Sequence, residues 1–494
     1  MSKKIYITTS IAYVNADPHL GFALELVQTD CVARYQRLIG NEVFFVSGAD
    51  ENSLKNVLAA EKAGASVKEW VERHSAKFAS LKDALNISFD DFIRTTQLRH
   101  IEGVQKMWLS AKEDIYQGNY EGLYCVGCED FYKEEDLVDG CCPEHKTKPE
   151  IVKEENYFFR LSKYQKQLEE IYQNDKIGIY SNSRKGDIYN FLKEGLRDFS
   201  ISRSQARAHN WGIPVPDDKN QMIYVWFDAL CNYVTVLGYA KNSPIFRAWW
   251  EDESTEVWHF IGKDISKFHC VYWPAILMSA KLRLPSKVII HGFITLEGEK
   301  MSKSLGNVLD PFELAKEYGS DVLRYYMLRE FSLAQDGDFN RATLLERYNK
   351  ELANGLGNLL SRATTLMEKN GGQIKPEANL LNLAIEETWQ KYNEAFAEFK
   401  INLAADSFLQ LITKADAFVN EKQIWKIEDE GQLNQALSSL WLVLANLSLL
   451  VEPFMPETSK KIKESLGIKN EKKDDWPKTT FEVRKISALF PRKQ

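Results

Sequence analysis

The chain has no long apolar run, no cysteine framework and no excess of basic charge. No hydrophobic run reaches the ~18 residues that a membrane span needs. The nearest, LWLVLANLSLLV at 440–451, is broken by Asn446 and Ser448 and reads as a buried helix of a bundle. The opening residues, MSKKIYITTS, carry two lysines with no apolar stretch behind them, so no secretory signal is expected. A net charge of -7 excludes a wholesale polyanion binder and leaves room for RNA contacts through local basic patches. The seven cysteines are an odd number, and four of them crowd into 125–142. That pattern excludes a disulfide scaffold and points to a reducing compartment, the cytoplasm, with one metal site. There are no internal repeats and no long low-complexity tract.

What is present is a 494-residue chain, long enough for about three domains and for a core that needs no staples. Residues 4–9 read as a buried strand. Asp17 followed by Pro18 predicts a helix cap with proline at the first helical position, and the helix runs on through HLGFALELVQTDCVARYQRLI to Gly40. EVFFVSG at 42–48 predicts a second strand. Strand, helix and strand in so short a span form a βαβ unit, hence a parallel sheet, with ligands at the carboxyl ends of the strands beside helix N-termini. From 116 to 225 turn residues, cysteines and short strand-like runs replace that rhythm. It returns at QMIYVWFDAL, EVWHFIGKDI and SKVIIHGFI. The reading is an α/β domain split into 1–115 and 226–290 by an insertion at 116–225, a linker region at 291–345, and an α-helical bundle over 346–494.

Two stretches carry phosphate chemistry. In YVNADPHLGF (13–22), His19 stands in the first helical turn, where backbone N–H groups and the helix dipole favour anions. Gly21 lets a nucleotide lie against bare backbone. Alone, this pattern fits a helix-start histidine with a packing glycine equally well. EGEKMSKSLGN (297–307) tips the balance: Lys300, Ser302, Lys303 and Ser304 set two ammonium groups and two hydroxyls on one loop, suited to a developing pyrophosphate. A second Asp-Pro helix start follows at 310–311. A separate signal is Cys125-x2-Cys128 with Cys142-x2-His145, four soft ligands in paired-knuckle spacing. The set is complete, so it predicts a tetrahedral structural zinc site, with Cys141 a spare thiol.

H-x-G and KMSKS are the signature pair of the class I aminoacyl-tRNA synthetases. With YVNADPHLGF, DDFIRTTQLRH, EGLYCVGCEDFY, NYFFRLSKY, DFSISR, WGIPVP, YVWFDAL, FIGKDI, KMSKSLGN and DVLRYYMLRE, from residue 5 to about 365, the chain closely resembles the methionyl-tRNA synthetases. The resemblance implies a Rossmann-type parallel sheet interrupted by a zinc-knuckle connective insertion, then an α-helical anticodon-binding bundle. It implies ATP with Mg²⁺, L-methionine and tRNA(Met), initiator tRNA included, as partners. His19, Lys300 and Lys303 are then catalytic, and Gly21, Phe22 and Ser302 join them around ATP. By motif matching, Ile11, Tyr13, Trp226, Tyr233 and His269 form the methionine pocket, Asp50 meets the ammonium, and Asp264 is a further site carboxylate. Asn358 and Arg362, four apart on one helix face, and Trp425 correspond to the anticodon readers. Ile424 stands where the family often has proline. The chain ends at Gln494 without the appended tRNA-binding domain of some relatives, so a monomer is expected.

The sequence also departs from the family. Phe22 replaces the second histidine of the phosphate signature, and Asn52-Ser53 replace the usual His-Gly after Asp50-Glu51. Phenylalanine makes no hydrogen bond to ribose or phosphate but packs on an adenine ring. An active enzyme with altered ATP affinity is therefore the expectation, and a non-catalytic tRNA-binding paralogue the alternative. The branched-chain synthetases are excluded by the short interval between His19 and Lys300, which leaves no room for their editing insertion. A cysteine enzyme would hold its zinc in the catalytic core.

Overall fold

The computed structural model describes residues 2–125, 130–132, 134–143, 146–296, 298–300, 308–377, 379–469 and 473–493. The chain divides into two compact units, Met1–Thr29 with Asn41–Lys82 and Ser88–His291, and Asp30–Gly40 with Asp83–Ile87 and Gly292–Gln494.

The first unit is built on β1 (Lys4–Thr9), β2 (Ala12–Tyr13), β3 (Glu42–Asp50), β4 (Asp91–Arg94), β5 (Gly178–Tyr180), β6 (Thr255–Gly262) and β7 (Lys287–His291). They form one seven-stranded sheet in the order β2-β3-β1-β6-β7-β5, with β4 also on β3. Every pairing is parallel. After its first residue β1 is buried throughout, the continuous burial expected of a strand covered on both faces. Tyr6, Val46, Ile93, Trp108, Phe227 and Trp273 belong to the apolar core around this sheet. β5 comes from within the interval read as the insertion, whose own four-stranded antiparallel sheet joins Asp130–Tyr132, Ile115–Cys125, Glu150–Phe159 and Phe199–Ser200.

Two local expectations are corrected. The helix foreseen from Asp17-Pro18 begins later, at Leu20, and ends at Leu38. Asp17 is instead drawn to Lys77, 2.6 Å away, and to His74 at 3.7 Å. QMIYVWFDAL is not a step of the parallel sheet. Asp217 at φ 65° makes a turn, and Asp218–Ile223 folds back antiparallel on Pro214–Val215 before the helix Val225–Leu230.

In the second unit, Ile294–Leu296 pairs with Glu299–Lys300 and Gly337–Phe339. Helices follow at Pro311–Tyr318, Ser320–Glu330, Arg341–Arg347 running on to Lys369, Asn382–Ala397, Ile401–Glu421, Glu430–Leu450 and Pro456–Ser465. The Asp-Pro start holds here: Asp310 caps, its carboxylate accepting from Phe312 N–H at 2.7 Å. Glu430–Leu450 is apolar and long enough to cross a membrane, but 72% of its apolar window is buried inside the protein, as in a core helix.

Candidate active site

The predicted pocket residues of the first unit gather at the carboxyl end of the parallel sheet. Ala12 and Tyr13 form β2 and lie in register with Ala49 and Asp50, the last residues of β3. Tyr13 and Asp50 are therefore direct neighbours across two strands. Asp50 is 1% exposed, and its Oδ1 accepts the Asn52 backbone N–H at 3.0 Å. The Tyr13 ring carries the Lys55 ammonium 4.9 Å from its centroid. A Cβ on Gly48 would fall 2.8 Å from Ile11 and 2.5 Å from Ile93, so this strand end packs against Ile11 only because residue 48 has no side chain.

The remaining predicted residues form an aromatic wall. Val225–Leu230 and Asn232–Thr235 are joined by Cys231 in helical geometry, which keeps Trp226 and Tyr233 on one face, as their spacing predicts. Trp226 stacks on Phe268, with ring centroids 3.7 Å apart and planes 4° apart. Tyr233 meets His269, the next residue, through a 2.6 Å hydrogen bond. Phe268 and His269 lie in a widened helical turn, Phe268–Tyr272, a distortion frequent at functional sites. The Trp226 indole N–H is buried and finds no partner among the described residues, as is also the case for Trp250, Trp273 and Trp476.

The protonation of this wall follows from its partners. His269 Nδ1 lies 3.0 Å from the Ile265 carbonyl, an acceptor only, so Nδ1 carries the proton and Nε2 accepts the Tyr233 hydroxyl. Burial holds the His269 pKa down at about 4 and pushes the Tyr233 phenol up, so the pair is neutral at physiological pH. Behind it His259, fully buried, lies tilted against Tyr233 with ring centroids 4.2 Å apart and bonds Thr8 through Nδ1 at 2.7 Å. Burial lowers its pKa too. A neutral, ring-lined wall suits a flexible thioether, because sulfur gains from aromatic contact and demands no charge.

These depressed values have a consequence for stability. Between the ordinary 6.5 and about 4, unfolded His269 binds a proton that the folded residue refuses. Stability is therefore complete above about pH 6.5 and falls as the pH drops toward 4, by about 3 kcal/mol from this residue. Urea midpoints followed from about pH 7.5 to about 4.5 check this, and His269→Gln should flatten the slope.

On the nucleotide side, His19 caps the helix itself. Its Nδ1 accepts the Gly21 N–H at 3.0 Å, which places the ring proton on Nε2. Phe22 is 8% exposed and packs on Phe78 with centroids 5.0 Å apart. Asp264 is exposed in the short 3₁₀ turn after β6, where a Cβ on Gly262 would approach its carboxylate to 3.0 Å. Two residues not singled out from the sequence also stand at this edge. Glu25 is buried and accepts from Ser10 N–H (2.8 Å) and Oγ–H (2.6 Å) on one oxygen, with His291 Nε2 at 2.7 Å on the other. A lone acid inside the apolar run GFALELV and a histidine closing VIIH were the available signals.

In the second unit, Lys300 ends the strand Glu299–Lys300. Gly298, at φ +79°, turns into that strand and donates its N–H to Asp338 at 2.9 Å. Ser302 and Lys303 lie outside the described residues. Asn358 opens the helix Asn358–Lys369 and is exposed; Arg362 is held by Asp416 (3.3 Å) and Asn420 (2.8 Å). Trp425 is 53% exposed. Gln423 at φ 45° turns the chain where a proline was missed, which buries Ile424 and leaves Trp425 outward.

Of the four cysteine-knuckle residues, Cys128 and His145 lie outside the described residues. Cys125 and Cys142 are each 1% exposed and meet at Thr147: its carbonyl accepts Cys142 N–H at 2.9 Å, and its hydroxyl lies 4.0 Å from the Cys125 sulfur. Thr147 thus lies beside the sulfur of Cys125 and the backbone of Cys142. Among the described residues alone, no group of three or more ligating side chains occurs.

Comparisons with known proteins agree over the whole chain. The family described as tRNA synthetases class I (M) matches residues 5–148 and 142–364. A methionine–tRNA ligase of Brucella suis is 40% identical, covering 95% of this chain and 93% of that protein. One of Caldanaerobacter subterraneus subsp. tengcongensis is 41% identical, covering 100% of this chain and 79% of that protein. Mycobacterium tuberculosis methionyl-tRNA synthetase in complex with methionyl-adenylate superposes with a TM-score of 0.91 at 36% identity, covering 99% of this chain and 100% of the other. The free form of that enzyme gives 0.85 at 33% identity, covering 100% of this chain and 99% of the other.

Proposed function

The chain belongs to the class I tRNA synthetases of the methionine group, and from that premise we propose that it is a methionine–tRNA ligase. It activates L-methionine with ATP to methionyl-adenylate and pyrophosphate, then passes methionine to the 3′-terminal adenosine of tRNA(Met). The observation that carries this reading is the neutral Tyr233–His269 pair in an aromatic wall, within a unit that also sets Asp50 against Tyr13 at the strand ends. The pocket's surviving chemistry and the adenylate complex of the similar enzyme favour catalysis over a non-catalytic paralogue.

In this reading a methionine carboxylate oxygen attacks the α-phosphorus of ATP in line as the bond to pyrophosphate breaks. The attacking group is already an anion, so no general base is needed and catalysis is positioning plus charge stabilisation. Asp50 takes the ammonium, while Ile11, Tyr13, Trp226, Tyr233 and His269 take the side chain, and Asp264, in the turn after β6, is a further site carboxylate. His19 donates from Nε2–H to a phosphate oxygen, with Gly21 leaving the approach open. Lys300 and Lys303, with Ser302, neutralise the charge that moves onto the leaving pyrophosphate. Phe22, in the helix that His19 caps and packed on Phe78, belongs to the ATP side of the site. Mg²⁺ accompanies ATP and offsets triphosphate charge. The acyl group passes first to the 2′-hydroxyl of the terminal adenosine. Asn358, Arg362 and Trp425 read the anticodon of elongator and initiator tRNA(Met). The protein acts as a cytoplasmic monomer.

Pyrophosphate exchange with ATP across the twenty amino acids tests the function. Methionine alone should give signal, and exchange with another amino acid but not with methionine would sink the reading.

Cys125, Cys128, Cys142 and His145 hold one structural zinc, which crosslinks the knuckle rather than polarising substrate. Elemental analysis of purified protein should find one zinc per chain. Cys142→Ser should lose it and Cys141→Ser should keep it, because Cys141 falls outside the paired spacing Cys125-x2-Cys128 and Cys142-x2-His145.

A further inference from the structure

Asn52 is the residue at which this chain leaves the family pattern inside the pocket, and its contacts explain what the position does. Its backbone N–H donates to Asp50 Oδ1 at 3.0 Å, and its side-chain Nδ2 donates to Asp228 Oδ2 at 2.7 Å and to the Thr95 carbonyl at 3.3 Å. Asp228 is 0% exposed, and its other oxygen meets His100 Nε2 at 2.6 Å. His100 is equally buried and closes on Thr235 Oγ1 at 2.7 Å through Nδ1. Each oxygen of this buried carboxylate thus has a donor, and one of the two donors is the residue that orients Asp50.

Asp228 also sits on the helix Val225–Leu230, two residues after Trp226. The network therefore runs from the aromatic wall, through a buried carboxylate, to the carboxylate assigned to the substrate ammonium. Ser53 completes the substitution on the other side: it caps Leu54–Lys62, its hydroxyl accepting Lys55 N–H at 3.1 Å, and so fixes the chain just after Asn52.

We propose that Asp228 is a positioning residue for methionine binding, acting through Asn52 to hold Asp50 at a fixed place relative to Trp226. It touches neither substrate. Asparagine serves in place of histidine because the position needs a donor toward Asp228, which both side chains supply. The inference rests on the methionine reading above.

The test is a set of substitutions assayed by pyrophosphate exchange on the full chain. Asn52→Leu is near-isosteric and cannot donate; it should raise the KM for methionine roughly tenfold or more, the scale of a lost hydrogen bond to a buried charge, with kcat and the KM for ATP changed by less than about threefold. Asn52→His restores a donor and should return methionine KM to within about threefold of the unsubstituted protein, which a purely structural role does not require. Asp228→Asn should raise methionine KM in the same direction, because an amide turns one acceptor into a donor facing a donor. Asn52 is half-buried, so its variants retain the fold even where Asp228→Asn does not. Methionine KM equal in Asn52→Leu and the unsubstituted protein overturns the proposal, as does an equal rise for ATP and methionine. No methionine-dependent exchange in the unsubstituted protein overturns the functional reading and this inference with it.

Discussion

Asp50→Asn is expected to lower kcat/KM for methionine by about 10²–10³-fold while the KM for ATP stays within about threefold. The carboxylate ends β3 at 1% exposure, beside Tyr13 in register and oriented by Asn52 N–H. An ammonium brought into that place exchanges water for one anionic partner. Removing the charge leaves it desolvated and poorly paired, which costs about 2–5 kcal/mol at buried, hydrogen-bonded charge pairs. The asparagine keeps the volume and one acceptor oxygen, so the loss reads the charge and not a cavity. Steady-state exchange kinetics with each substrate varied in turn measure the effect, and equal losses for both substrates would remove Asp50 from the ammonium role.

Arg324→Met is expected to destabilise the second unit by about 3–5 kcal/mol. Arg324 belongs to the stretch DVLRYYMLRE and is 0% exposed. Its Nη2 lies 2.7 Å from Asp30 Oδ2, and its guanidinium donates to the carbonyls of Leu85 (3.0 Å), Pro453 (2.8 Å) and Phe454 (3.0 Å). Arg34 Nε reaches the same Asp30 oxygen at 2.7 Å. Methionine fills the space but takes the Arg324 guanidinium from Asp30, which keeps Arg34, and leaves three carbonyls without that donor. Arg324→Lys keeps the charge yet lacks the planar fork, so it should recover only a minor part of the loss. Urea midpoints of the three proteins rank the effect, and a midpoint for Arg324→Met equal to the parent would refute it.

Much of this architecture was legible because it is local. β1, β3 and the long bundle helices follow from runs of apolar residues at strand or helix period, and the pocket assignment follows from short words such as YVWFDAL. The two Asp-Pro pairs show where local reading stops. Asp310 caps its helix, but Asp17 is drawn away by Lys77 and His74, which lie on another helix, and His19 takes over the cap. The same limit hid the networks behind the pocket. Asn52 and Asp228 are 176 residues apart in sequence, His100 and Asp228 are 128 apart, and Glu25 and His291 are 266 apart. Nothing in the residue types announces such pairs before the sheet brings them together. The antiparallel return after Asp217 failed for a different reason: a half-buried strand and a parallel-sheet strand look alike over five or six residues.

The helix cap made by His19 bears on how this protein responds to salt. In the proposed reading, with Nδ1 engaged by Gly21 N–H, the imidazole faces a triphosphate through its Nε2–H donor and not as a doubly protonated cation. Counterions screen charge–charge attraction far more than a short neutral hydrogen bond. In that reading the ionic-strength dependence of ATP binding reports fully charged partners of the triphosphate and is nearly blind to His19. Raising the salt concentration with potassium chloride weakens charge–charge contributions and leaves the histidine's in place, so the salt slope does not count His19.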